Sequence, residues 1–208
     1  MEEIKSISEA KPRYVMTMYS RLAIVVSHHG DRIDKAIKLM KRAVELQAMC
    51  DENDHASGSI YSNLGLLLRW QGDFQDAINA MWQAYYLNPS QTEILHDIGL
   101  MHLQMHTPEK AEDLFDKFLQ GFGDLDNLKK HQSLRVASVL HALGKIRGDH
   151  LLQQNRDAFF TGRCLPDSEF RIEAEAILAT FRKAIEVCPE NTFFEDQLGV
   201  FAFSFEMV

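Results

Sequence analysis

The chain repeats its own residue pattern at a spacing of 34 residues, and this self-similarity constrains the fold more than any other feature. The clearest copy runs from Tyr61 to Pro89 and contains Leu64, Gly65, Ala77 and Met81. A step of 34 residues towards the C-terminus pairs these six positions with Leu95, Ile98, Gly99, Ala111, Phe115 and Gly123. A step of 42 residues towards the N-terminus pairs Tyr61–Gly65 with Tyr19–Ala23. The sequence therefore predicts a stack of similar structural units.

Each unit has the pattern of two antiparallel helices. Tyr61, Leu64 and Leu68 are spaced by three and four residues, so they share one face of a first helix. Gly72 and Asp73 are typical of a helix end followed by the start of the next helix. The second helix then presents a facing stripe of Ala77, Met81 and Ala84, and Pro89 ends it. Small residues at Gly65, Ala77 and Ala84 predict a close approach of the two helices.

This pattern resembles the tetratricopeptide repeat. The order is aromatic-x-x-Leu-Gly, then Gly-Asp-Phe, then Ala-x-x-x-large-x-x-Ala, then Pro. The resemblance places repeats at residues 16–57, 58–91 and 92–125, with a diverged fourth repeat at about 134–191. It implies an all-α fold: a right-handed helical-repeat solenoid, a superhelix of antiparallel helix pairs with nine or ten helices and no sheet. We expect one domain over residues 1–208.

The C-terminal third is less regular than the rest. Within 126–191 the diverged repeat has Gly148-Asp149, which repeats the turn signature of Gly30-Asp31 and Gly72-Asp73 and predicts a turn between two helices. An insertion interrupts the repeat at about 150–168, and Ser168 is placed to cap a helix that extends from Phe170 to Val187. Residues 192–208 are expected to form a terminal or capping helix.

The sequence contains no recognisable catalytic motif. It lacks phosphate-binding glycine loops and the Gly-x-Ser-x-Gly motif, and its three cysteines have no short-range spacing typical of a zinc site. His102 and His106 have the spacing of two ligands on a helix, but a packed or solvated histidine pair is the better interpretation. We therefore expect no enzyme activity, no cofactor and no metal.

The candidate binding residues follow from the resemblance. In this family the first helix of each repeat lines a concave groove, and repeat positions two, five, six and nine face the ligand. The corresponding residues are Thr17, Ser20, Arg21 and Ile24 in the first repeat, Ser59, Ser62, Asn63 and Leu66 in the second, and Glu93, His96, Asp97 and Leu100 in the third.

The residues at these positions indicate which partner the groove would accept. The chaperone-binding members of the family clamp a terminal carboxylate with Lys, Asn, Asn, Lys and Arg. Asn63 fits the second-repeat asparagine, whereas Glu93 and Asp97 stand where the third-repeat Lys and Arg would be. Two carboxylates repel an acidic peptide, so we expect a basic or polar segment of a partner protein.

Two other functions fit the same pattern less well. The chain could be the substrate-recruiting part of a larger transferase-type enzyme that continues beyond Val208. It could also bind RNA as a helical repeat, but the net charge of −8 disfavours a nucleic-acid partner. The sequence has no apolar run of membrane-spanning length and few cysteines, which favours a cytoplasmic protein without membrane insertion.

The last helix is unusually rich in phenylalanine. On a helix, Phe194, Phe201 and Phe205 lie near one face and can pack on the preceding helix, while Phe193 and Phe203 point into water. Exposed large aromatics often mark an interface. We expect self-association through Phe193 and Phe203, with cover by the insertion or by a continuation of the chain as the alternatives.

Overall fold

The computed structural model describes residues 12–28, 32–47, 56–123, 125, 128–156 and 168–206. Within these ranges the chain forms nine α-helices and no strand, as the sequence predicts. The helices are α1 (Pro12–Ser27), α2 (Ile33–Gln47), α3 (Ala56–Gln71), α4 (Phe74–Leu87), α5 (Glu93–Gln104), α6 (Pro108–Gln120), α7 (Lys130–Gln154), α8 (Ser168–Val187) and α9 (Phe193–Glu206).

The chain divides into two compact units, Met1–His106 and Thr107–Val208. The first unit contains α1 to α5 and the second contains α6 to α9. The boundary falls within the third predicted repeat, between its two helices. The prediction of one continuous domain over residues 1–208 stays a prediction.

The first unit is built from helix pairs. Helix α1 packs on α2, and α3 packs on α4. Contacts of α3 with α1 and α2 join the two pairs, and α5 packs on α4. The predicted stripe of the second helices is completely buried at Ala77, Met81 and Ala84. Burial of this stripe supplies the hydrophobic driving force that holds each pair together.

Gly65 sets the distance between α3 and α4. A Cβ atom at this position would lie 2.5 Å from Met81 Cγ and 3.1 Å from the carbonyl oxygen of Ala77. Both distances are shorter than ordinary contacts, so only glycine permits this approach. The close approach predicted from the small residues is confirmed.

The turn between α3 and α4 has the geometry expected of a glycine-terminated helix. Gly72 adopts a φ of +94°, the left-handed region that glycine enters without strain. Its N–H donates to the carbonyl of Arg69, and the N–H of Asp73 donates to the carbonyl of Leu68, which together form a Schellman motif. Asp73 lies at the N-cap of α4, where the pattern predicts the second helix to begin, but its side chain makes no capping hydrogen bond.

The predicted turn at Gly148-Asp149 is also wrong. Helix α7 runs without interruption from Lys130 to Gln154. A Cβ atom at Gly148 would lie 2.6 Å from Phe201 Cε1. Gly148 is therefore required because an aromatic ring of α9 packs against the C-terminal part of α7, and not because the chain turns there.

The phenylalanines of α9 divide between core and surface as the sequence predicts. Phe194 and Phe201 are buried, and Phe205 and Leu198 are partly buried against the core of the second unit. Phe193 and Phe203 are exposed at 51% and 63%. The predicted packing of α9 on the preceding helix is confirmed by the contact of α9 with α8.

Several sequence predictions concern residues outside the described ranges. These are most of the insertion at about 150–168 and two of the three cysteines, Cys50 and Cys164.

Candidate peptide-binding groove

The predicted groove residues lie on α1, α3 and α5, all in the first unit. Helices α1 and α3 contact each other directly, and α5 joins them through α4. The fold thus places the first helices of successive repeats in order, which is the arrangement that lets a repeat protein present a continuous binding surface.

Most of the predicted groove residues are accessible to a ligand. Arg21, Ile24 and Ser59 are exposed. Those with partly accessible side chains are Thr17, Ser62, Asn63, Leu66, Glu93, Asp97 and Leu100. A half-buried side chain is held by its neighbours and can still contact a partner, which reduces the entropy lost on binding.

Two predicted contact residues are buried. Ser20 is 8% exposed and His96 is 7% exposed. Each occupies a position that the repeat pattern assigns to the groove, yet packing against neighbouring helices covers it. Their exposure gives a ligand little surface to contact, so the geometry favours a supporting role for both.

His96 orients the carboxylate of Asp97. The two side chains are adjacent in sequence, and His96 Nδ1 lies 3.1 Å from Asp97 Oδ1, at hydrogen-bond distance for an Nδ1–H donor. The Asp97 side chain remains 21% exposed. A carboxylate that is held on one side and open on the other is suited to accept a hydrogen bond or ion pair from a ligand.

The third-repeat part of the groove is acidic. Glu93 and Asp97 are four residues apart on α5, so they lie on the same face of the helix. Arg21 on α1 brings a positive charge to the first repeat. The predicted groove residues therefore include a positive charge on α1 and two negative charges on α5.

A long apolar surface on α1 was not predicted from the sequence. Tyr14, Met18, Leu22 and Val25 are exposed at 63%, 55%, 49% and 59%. Their spacing of four, four and three residues places them along one side of the helix. The spacing of these four residues is sufficient to predict a stripe, but the repeat pattern does not assign these positions to a binding surface.

The second unit holds a cluster of charged groups between α6 and α7. Arg147 Nε donates to Glu112 Oε1 at 2.7 Å, and its Nη2 donates to both carboxylate oxygens of Asp116 at 2.9 and 2.8 Å. Burial alone would lower the pKa of Arg147, but its hydrogen bonds and charge interactions with the two acids outweigh it and raise the pKa. This cluster links α7 to α6 and gives Arg147 a structural role.

His141 lies in an aromatic environment in the same unit. Its ring centroid is 5.6 Å from that of Phe181, 5.2 Å from that of Phe193 and 5.5 Å from that of Phe194. Its Nε2 atom is buried and has no hydrogen-bond partner in the described structure. Burial, and secondly the charge of Lys145, lowers the pKa of His141 below its ordinary value.

In the described ranges, no three His, Cys, Asp or Glu side chains are grouped as in a metal site. None of the helices described is both long enough and apolar enough to cross a bilayer.

Comparison with protein families identifies the repeats of the first unit. Residues 14–87, which extend from the first turn of α1 to the end of α4, match the tetratricopeptide repeat family. This part of the chain consists of tetratricopeptide repeats. A comparison with curated proteins gave no match.

Solved structures of tetratricopeptide repeat proteins have the same fold as this chain. MamA is 20% identical with a TM-score of 0.58, and the alignment covers 89% of this chain and 85% of MamA. A MamA fragment from Desulfovibrio magneticus RS-1 is 14% identical with a TM-score of 0.64, covering 92% and 86%. YrrB, described as a TPR protein with an unusual peptide-binding site, is 13% identical with a TM-score of 0.64, covering 98% and 84%. The predicted fold class is confirmed.

Proposed function

We propose that this protein is a non-enzymatic scaffold that binds a segment of a partner protein in the groove formed by α1, α3 and α5. The observation that carries the proposal is the row of partly exposed polar and apolar side chains on these helices. Ser62, Asn63 and Asp97 supply hydrogen-bonding groups, and Leu66 and Leu100 supply apolar contact area. Such a row suits an extended peptide or an amphipathic helix.

Charge supports a basic or polar partner. The accessible carboxylates of Glu93 and Asp97 would attract Lys or Arg side chains and repel an acidic segment. Because His96 already holds one side of Asp97, less side-chain entropy is lost when a cation binds there. The low number of cysteines supports a reducing, cytoplasmic location for this interaction.

Selection from a random peptide library tests the proposal. We expect the folded protein to enrich peptides that contain basic residues. Their affinity should fall about tenfold or more in an Asp97→Lys variant, because a like charge then faces the ligand.

Asp76→Lys is the matched control. Asp76 is an exposed acid in the first turn of α4, outside the predicted groove, and the substitution changes the net charge by the same amount. Equal loss of affinity in both variants would indicate long-range charge attraction alone. Loss of affinity only in Asp97→Lys would support binding in the groove. Peptides whose affinity is unchanged in both variants would contradict it.

A further inference from the structure

The first and last described helices each expose an apolar face. We define the N-terminal apolar face as Tyr14, Met18, Leu22 and Val25 of α1, and the C-terminal apolar face as Phe193, Val200 and Phe203 of α9. Every one of these side chains is at least 49% exposed. Terminal repeats of soluble repeat proteins normally have a polar outer surface, so the apolar faces on both helices indicate interaction sites.

The two faces match in length. The N-terminal apolar face extends over eleven residue steps of α1 and the C-terminal apolar face over ten steps of α9. At 1.5 Å per residue these stripes are about 16 Å and about 15 Å long. Two helices of this size can therefore lie side by side with both stripes in contact.

The two helices are also complementary in charge. Helix α1 contains two arginines, Arg13 and Arg21, and no acidic residue. Helix α9 contains Glu195, Asp196 and Glu206 and no basic residue. On the helix surface the exposed Arg21 borders the N-terminal apolar face, and the exposed Asp196 lies within the C-terminal apolar face. Two copies of α1, or two copies of α9, would instead bring like charges together.

We propose that the partner of each face is a second copy of this chain, with α9 of one copy docked on α1 of the next. The contact is heterologous: its two sides are different surfaces. Apolar burial would supply affinity, while the pairing of Arg21 with Asp196 would select this combination over the two like-with-like contacts. Arg21 also belongs to the predicted groove, but the contact uses no groove residue of α3 or α5, so peptide binding there can fail without affecting it.

Light scattering across a concentration series tests self-association of the full chain. We expect the average mass of the unmodified protein to rise with concentration. Met18→Ser/Leu22→Ser and Val200→Ser/Phe203→Ser should each be monomeric, because each lacks one side of the contact. Tyr86→Ser, which removes an aromatic side chain of 68% exposure outside both faces, should behave like the unmodified protein. Circular dichroism confirms that each variant is folded.

Mixing the two double variants decides the arrangement. Each variant retains the face that the other has lost, so a heterologous contact predicts a one-to-one dimer in the mixture and monomers in each separate sample. A double variant that still associates by itself would overturn the proposal in favour of a like-with-like contact. A monomeric unmodified protein would overturn it as well. If deleting residues 1–11 or 157–167 then produced association, the occupant would be that segment of the same chain.

Charge reversal provides an independent measurement. Arg21→Asp and Asp196→Arg should each weaken association about tenfold or more, and the two substitutions together should restore it. Restoration separates a direct pairing from a loss of folding, since two damaging substitutions would not repair each other. Failure of the combined variant to recover would contradict the proposed pairing.

Discussion

Replacing Gly148 by alanine should destabilise the second unit through a clash with a single aromatic ring. The new Cβ atom would lie 2.6 Å from Phe201 Cε1 and 2.9 Å from Cδ1, whereas carbon atoms normally keep about 3.5–4.0 Å apart. The Phe201 ring has little freedom to retreat, because it stacks on Phe181 with a centroid distance of 5.0 Å. Overpacking of this kind costs about 1–3 kcal/mol.

Gly199→Ala is the matched control for this substitution. Gly199 lies inside α9, and a Cβ atom there would meet nothing within 4 Å. Alanine favours a helix interior over glycine by about 1 kcal/mol, and this gain applies to both variants. The difference between their free energies of unfolding, measured with urea and circular dichroism, therefore isolates the clash and should be about 1–3 kcal/mol.

A double-mutant cycle with Phe201→Ala distinguishes the clash from the turn that the sequence suggested. If Phe201 is the obstacle, Gly148→Ala should become harmless or stabilising once the ring is removed. A glycine needed for a left-handed turn would instead remain costly to replace in either background. A coupling energy near zero would refute the contact between α7 and α9.

Three further substitutions test the packing and electrostatics of the two units. Ala84→Leu should lower the stability of the first unit by about 1–3 kcal/mol in urea unfolding followed by tryptophan fluorescence, and an unchanged midpoint would contradict the helix pairing. Burial, and secondly the charge of Lys145, lowers the pKa of His141 in the folded protein below 6.5, so the unfolded chain binds the proton more readily. The free energy of unfolding should therefore decrease as the pH is lowered from about 7.5 to about 5.5. His141→Phe should reduce this fall, and an equal fall in both proteins would assign it to other groups. Arg147→Leu should lower the free energy of unfolding by about 1 kcal/mol, measured by thermal unfolding, because the half-exposed ion pairs with Glu112 and Asp116 are lost. A variant more stable than the unmodified protein would show that these pairs contribute nothing to stability.

The sequence predicts the first unit well because its repeats are regular. Gly65 and Gly72 are both recognisable from their positions in the pattern, and each has the expected physical role, as a close contact and as a left-handed turn. The division of the α9 phenylalanines between core and surface follows from helical periodicity alone. These features depend on local spacing, which a sequence displays directly.

Features that depend on contacts distant in sequence were not predictable in this way. Gly148-Asp149 has the same two residue types as the turn at Gly72-Asp73, but it lies inside α7, where the ring of Phe201 from another helix leaves no room for a Cβ atom at Gly148. Ser20 and His96 occupy groove positions in the pattern, yet their burial depends on the helices packed around them. A repeat pattern identifies the helix face on which a residue lies. Only the structure shows how much of its side chain stays exposed after the neighbouring helices have packed against it.

Mapping of a bound peptide by nuclear magnetic resonance would test the groove most directly. A peptide enriched from the random library would be titrated into the labelled full chain, and the shift changes assigned to residues. The proposed function predicts changes concentrated at Asn63, Leu66, Asp97 and Leu100, on α3 and α5. Changes confined to the exposed Tyr86 region of α4 or to the second unit, with these four residues unaffected, would contradict it.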